Sequence, residues 1–254
     1  STGEMAASGA DARVLTLLEA GISARPGIPG EEGPELQQFT PAATDALLVI
    51  DVQNSFLAGG ELEVPQGDEI LPLVNALVAK FKVVVLSQDW HPPAHSSFAS
   101  QHEGKDPYDE VELVYGAQTL WPDHCVQETR GAAFHDDLAI PQGSHVCRKG
   151  FRREVDSYSA FFENDKTTAT GLEGYLRELG VTRVFIVGVA YDFCVRFTAE
   201  DAVRCGFTSV VVRDGTRAVD LPGAVEAADK GTAAAGVLVV ESAGLAAALE
   251  ERRS

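Results

Sequence analysis

Six continuous apolar runs recur along the chain: ALLVID (46–51), KVVVLSQD (82–89), SHVCRKG (144–150), TRVFIVGV (182–189), FTSVVVRD (207–214) and GVLVVES (236–242). They are short and rich in β-branched residues, and they lack the polar alternation of a strand with one wet face. Such runs predict strands buried on both faces of a parallel sheet. Helical patterns stand between them: DEILPLVNALVAKF (68–81), ATGLEGYLRELG (169–180), CVRFTAEDAVRCG (194–206) and PGAVEAADKGTAAAG (222–236). Gly180 and Gly206 close two of these at the usual helix stop. Strands alternating with helices predict an α/β fold, a doubly wound, mostly parallel six-stranded sheet with helices on both faces. Residues 90–143 break the rhythm. Irregular spans of that length in a compact domain usually carry function.

The pattern places one domain at residues 44–254. Ahead of it, residues 1–43 are rich in Ala, Gly, Pro and Glu and read as an N-terminal extension, part of it mobile. Its apolar cluster, LTLLEAGI (15–22), suggests a short docking helix. Met5 is the sole methionine, so it reads as the natural start, with residues 1–4 a cloning remnant.

Charge and composition narrow the partners. With 20 basic against 38 acidic residues the net charge is −18, which argues against nucleic acid or an anionic membrane. No apolar stretch approaches the roughly 20 residues of a spanning helix, and the start lacks the regions of a secretory signal. Four cysteines in 254 residues do not make a disulfide scaffold. The expectation is a cytoplasmic protein acting on a small molecule, with homo-oligomer formation left open.

The polar residues that close the strands carry the chemistry. Ligands of open parallel sheets bind beyond the carboxyl ends of the strands. Asp51 ends the first run, Asp89 and His91 follow the second, Lys149 closes the third and Cys194 follows the fourth. Each alone has an ordinary structural reading, as turn former, solvated cation or small core hydrophobe. Together they share one rim. A thiolate attacks where a thiol does not, and Cys194 at a helix start, Lys149 as neighbouring cation and Asp51 as base would activate it. Backbone N–H groups of the same helix start can bind the oxyanion of an acyl transfer. Cys147 and Cys205 lack this setting and read as core.

A second constellation lies in the long loop. Residues two apart in an extended segment point the same way, so Asp89 and His91 converge while Trp90 faces elsewhere. His124 would complete three N/O ligands and leave coordination positions open, as catalytic metal sites do. His95 is a candidate extra ligand or a partner of one. His102, His135 and His145 have no comparable context.

LLVIDVQNSF, SQDWHPPAHSSFAS, YGAQTLWPDHCV, RKGFRREVDSYSAF and VGVAYDFCV together resemble the nicotinamidases (pyrazinamidases) among the isochorismatase-like cysteine hydrolases. The resemblance runs in order from about residue 46 to 195, continues as strands and helices to near 250, and leaves out the first forty or so residues. It implies Asp51, Lys149 and Cys194 as catalytic triad, and Asp89, His91 and His124 as ligands of one divalent metal ion, commonly zinc or iron. It also implies a cis peptide at Val189–Ala190, an oxyanion hole from the N–H groups of Ala190 and Cys194, and a ring sandwich between Phe56 and Trp121, with Tyr158 near the pocket. Ser55 stands where Asp is common and Glu128 where a small residue is usual.

The expected activity is hydrolysis of nicotinamide, and of pyrazinamide, through a cysteine thioester, with nicotinate and ammonia as products. A related cysteine hydrolase on another small amide or an enol ether is the alternative; many of those lack the Asp–His–His set. A metal hydrolase with a water nucleophile would not need Cys194. A nucleotide-binding module would need a glycine-rich loop after its first strand, where this chain has DVQNSFLAGG. A catalytically dead binding protein would be expected to have lost a triad residue, and none is missing.

Overall fold

The computed structural model describes residues 14–16, 23, 25, 36 and 38–246. In chain order its strands are β1 (Val14–Thr16), β2 (Asp45–Ile50), β3 (Val83–Asp89), β4 (Glu110–Leu113), β5 (Gly116–Thr119), β6 (His145–Lys149), β7 (Arg183–Val189), β8 (Thr208–Arg217) and β9 (Leu238–Val240). Its α-helices are α1 (Leu71–Val78), α2 (Leu172–Glu178), α3 (Arg196–Arg204) and α4 (Ala224–Ala235).

All six predicted strands are present and pair in parallel, within a sheet ordered β1-β6-β3-β2-β7-β8-β9. The seventh strand, β1, runs antiparallel along β6 with Val14 opposite Cys147. Part of the cluster read as a docking helix is therefore a strand. The physical reason is that β6 would otherwise present an open row of N–H and C=O groups at the sheet edge. The rest of that cluster, and the mobility expected of the extension, fall outside the described residues.

Burial explains the continuous apolar runs. Along β2, Leu47 and Val49 pack with Leu71, Val74 and Leu77 on one face, while Ala46, Leu48 and Ile50 face Leu172, Leu176, Ala199, Ala202 and Ala228 on the other. One face is thus covered by α1 and the other by α2, α3 and α4. The helices end near their predicted stops, with Gly180, Gly206 and Gly236 in the left-handed region. Inside the long loop, β4 and β5 form a hairpin that sequence pattern missed, because EVEL and GAQT contain no apolar run.

From β2 the chain winds outward through β3 and β6, then returns to the other side of β2 as β7 and winds outward through β8 and β9. The reversal leaves a crevice at the carboxyl ends of β2 and β7, where doubly wound sheets bind ligands. Gly188 keeps these two strands close: at φ +112° it faces Ile50 across the ladder, and a Cβ there would run into Ile50's backbone carbonyl. Gly174 in α2 has a helical φ and open space around its missing Cβ. Gly174→Ala should therefore raise stability by up to about 1 kcal/mol, and Gly188→Ala should lower it by more than that; urea unfolding of both variants measures the contrast.

Candidate active site

The crevice is organised around one buried ammonium. Lys149, at the end of β6, is 1% exposed. Its Nζ lies 2.8 Å from Asp51 Oδ2 and 2.6 Å from Asp89 Oδ1. It also donates to the Ser157 carbonyl at 2.9 Å and to Cys194 Sγ at 3.3 Å. Asp51 follows β2 with a left-handed φ of 49°, and its other oxygen accepts from Ser87 Oγ at 2.7 Å. Burial lifts Asp51 to about 6 despite the pull of Lys149. It is thus ionised at neutral pH yet basic enough to take a proton.

Cys194 sits in a π turn, Tyr191–Val195, that leads into α3. The Val195 N–H reaches back to the Ala190 carbonyl at 3.1 Å, so the helical segment begins at Tyr191. The thiol thus lies in the first turn of this segment, near the helix start at which the sequence places it. The peptide Val189–Ala190 just before the turn is cis. Burial pushes the Cys194 thiol well above its usual range and outweighs the lowering influence of Lys149. The resting group is a thiol, so the pKa depression expected from the sequence is not what the folded chain provides.

Asp89 serves two neighbours. Oδ1 meets Lys149, while Oδ2 lies 3.7 Å from His91 Nε2 and 4.0 Å from His124 Nε2. Backbone carbonyls orient both rings: His91 Nδ1 bonds Gly150 O and His124 Nδ1 bonds Pro122 O, each at 2.7 Å. With Nδ1–H donated, Nε2 of each ring is left with its lone pair toward Asp89. Burial lowers His124 to about 4, keeping it neutral and able to ligate. Burial also disfavours the His91 imidazolium, but the Asp89 carboxylate overrides it and holds that pKa above the usual value; the place attracts positive charge.

A divalent cation fits these residues. One ligand atom from each of Asp89, His91 and His124 falls within 4.8 Å of the others, and all three side chains are buried. Asp51, Asp89 and Lys149 alone leave one excess buried negative charge, which a cation would offset. Gly150 makes room for the arrangement, since at φ +63° a Cβ would press on the His91 ring, 2.7 Å from Nδ1. His95 stacks on His91 with ring centroids 4.2 Å apart, and its Nδ1 bonds Ser97 Oγ at 2.7 Å. It groups with His91 and Asp156 rather than with the Asp89 set. Trp90 faces away, under the Arg148 guanidinium at 3.9 Å.

Above Cys194 a narrow cavity of about 20 Å3 is walled by Phe56, Leu62, Trp121, Tyr158, Phe193 and Val219, with Asp89 and His124 beneath. The Tyr158 hydroxyl accepts from Trp121 Nε1 at 3.2 Å and Gln118 Nε2 at 2.9 Å, fixing the indole. Ser55, behind Phe56, donates to Glu61 Oε2 at 2.6 Å and accepts the Cys125 N–H at 2.9 Å, tying the segment beside His124 to the cavity wall. The structure therefore brings together every site residue singled out in the sequence. Ser87, Ser157, Phe193, Leu62 and Val219 were missed. Adjacency to Cys194 could have suggested Phe193, and the alternation of β3 could have suggested Ser87. Leu62 and Val219 carry no signal outside the folded chain.

The Isochorismatase domain family matches residues 45–243. The chain belongs to that family. Within it, the chain is 49% identical over 197 residues to a nicotinamidase of Acinetobacter baylyi, covering 78% of this chain and 92% of that protein. It resembles the structure of an Acinetobacter baumanii nicotinamidase pyrazinamidase at TM-score 0.79 and 49% identity, covering 81% of this chain and all of that one. A Pyrococcus horikoshii pyrazinamidase, solved in complex with zinc, matches at TM-score 0.65 and 36% identity, over 78% of this chain and 99% of that one. Among the described residues, no helix is long and apolar enough to cross a membrane.

Within this isochorismatase-family site, Lys149 is the cation that faces both buried carboxylates. Lys149→Met would leave Asp51 and Asp89 as uncompensated buried charges, a loss of about 3–5 kcal/mol. Cys194→Ala removes only a small neutral group. Urea unfolding at pH 8 should separate the two variants by several kcal/mol, and equal midpoints would contradict the electrostatic account.

Proposed function

We propose that this chain is a nicotinamidase, converting nicotinamide and water to nicotinate and ammonia, and acting on pyrazinamide likewise. The observation that carries the reading is the Lys149 ammonium touching Asp51, Asp89 and Cys194 on the floor of a narrow cavity walled by Phe56, Trp121, Tyr158 and Phe193. The named relatives support the substrate class.

Catalysis starts from the thiol. Asp51 accepts the Cys194 proton as Sγ attacks the carboxamide carbon, and Lys149 stabilises the ion pair through that transfer. The N–H groups of Ala190 and Cys194 form the oxyanion hole, which takes the negative charge that develops on the former carbonyl oxygen. The tetrahedral adduct collapses with the Asp51 proton passing to the departing nitrogen, which leaves as ammonia. A water, deprotonated by Asp51, then attacks the thioester; the proton returns to the sulfur as nicotinic acid departs, and the acid loses its own proton to solvent to give nicotinate. Phe56 and Trp121 sandwich the ring, and Tyr158 steadies Trp121. Asp89, His91 and His124 would hold one divalent ion, zinc or iron, which would supply a Lewis acid for the ring nitrogen and so help orient the amide. His95 supports the His91 ring. We place the reaction in cytoplasmic NAD salvage, the setting that a net charge of −18 and four free cysteines suit.

Ammonia release by the purified protein tests the reading. Cys194→Ala should abolish turnover and Cys205→Ala should retain it, while Asp51→Asn should lose on the order of 10²–10⁴ in rate. In the intact protein, kcat/KM should fall as pH drops through about 6, because Asp51 is then protonated and unable to act as base. A thiol variant as active as the intact chain would end the covalent scheme.

Benzamide separates ring anchoring from other roles of the ligand set. It has the ring and the amide but no nitrogen to hold, so it should lose orientation and most of its rate. Specificity constants for benzamide comparable to those for nicotinamide would contradict that role.

A further inference from the structure

Asp192 lies two residues before the nucleophile, on the same π turn, and takes part in none of the proton transfers above. Its side chain is 2% exposed. Both carboxylate oxygens serve a neighbouring loop, the one that follows β8: Oδ1 accepts the Val219 N–H at 3.0 Å and Oδ2 the Asp220 N–H at 2.9 Å. Asp220 is in the left-handed region at φ 62°, so the loop turns sharply where the carboxylate grips it. Val219 is the residue this grip presents to the cavity, where it joins Leu62 and Phe193 in the apolar wall. Hydrogen bonds to a buried charged acceptor are among the stronger ones. The turn that carries Cys194 and the wall above it are thus bonded to one another through a single side chain.

We propose that Asp192 is a positioning residue that sets the width of the ring slot, holding Val219 at a fixed height over the nucleophile and so excluding substituted rings. The substrate in this statement rests on the nicotinamidase reading. The grip itself rests only on the geometry. Asp192→Asn keeps the shape but turns one acceptor oxygen into an N–H donor facing a backbone N–H, which breaks one of the two bonds and repels the loop. Val219→Gly removes the wall while leaving Asp192 intact.

The two variants should share a signature that a purely structural role for Asp192 would not produce. KM for nicotinamide should rise by roughly tenfold or more, the worth of a hydrogen bond to a charged group, and by more than kcat falls. The preference for nicotinamide over its ring-methylated analogues should shrink in both variants. A readout free of turnover is the labelling of Cys194, followed by peptide mass analysis, with N-ethylmaleimide against the slimmer iodoacetamide; the maleimide-to-iodoacetamide ratio should rise in both. If Asp192→Asn lowers kcat alone with selectivity and labelling ratio unchanged, or fails to fold while Val219→Gly leaves both unchanged, the proposal is overturned. An intact protein that releases no ammonia from nicotinamide would instead remove the substrate assignment, and the labelling ratio would still decide the role of Asp192.

Discussion

A lysine ammonium removed from water must be repaid by its surroundings, and the crevice is built to do so. Lys149 is held by two carboxylates, a backbone carbonyl and the reactive sulfur. Those partners come from β2, β3, the segment after β6 and the turn after β7, four separate parts of the chain. Only a sheet that brings the ends of those strands to one edge can satisfy the charge, so the doubly wound order and the buried ion set require each other. A buried ion pair is weak evidence of net stability, because desolvation offsets much of the attraction. Its value here is positional: any rearrangement that separates the strand ends exposes an unpaired charge.

The same electrostatics set the protonation of the sulfur. Lys149 draws the thiol pKa down, but burial and the nearby carboxylates draw it up further. A standing thiolate is therefore not the resting state. Asp51, lifted by burial to about 6, is a far better proton acceptor than a solvated aspartate, and Lys149 beside it favours the state in which the sulfur carries the charge. In the proposed mechanism the proton moves only when an electrophilic carbon is in place to use the sulfur, and a resting thiol is less open to oxidation than a free thiolate.

Much of this was legible in the chain because the strand runs and their closing residues obey simple rules. Continuous β-branched runs mean two-sided burial, and the rim position of Asp51, Asp89, Lys149 and Cys194 follows from strand ends alone. What was not legible depends on neighbours distant in sequence. β1 forms because β6 has an open edge, which no local pattern in VLT reveals. The π turn carries the helical segment back to Tyr191, ahead of Cys194, through an i→i+5 bond that helical periodicity does not encode. The direction of the thiol's pKa shift is not legible either, because the sequence shows the cation and the helix start but not the depth of burial.

Asp89 is where the two halves of the site become one. Its oxygens are divided between Lys149 and the histidine pair, so charge on one side is felt on the other. A cation bound by His91 and His124 would draw electron density from the carboxylate and weaken its hold on the ammonium. The ammonium would then be shared chiefly between Asp51 and the sulfur, where the proposed proton transfer would take place. Gly150 and the Pro122 carbonyl, which set the two imidazole rings, therefore act on the nucleophile as well as on the ligand set, although neither touches it. The Asp–x–His spacing at the end of β3 suits both tasks, since Asp89 faces the lysine at the strand's end while His91, the next side chain on its face, is placed where it would help hold an ion.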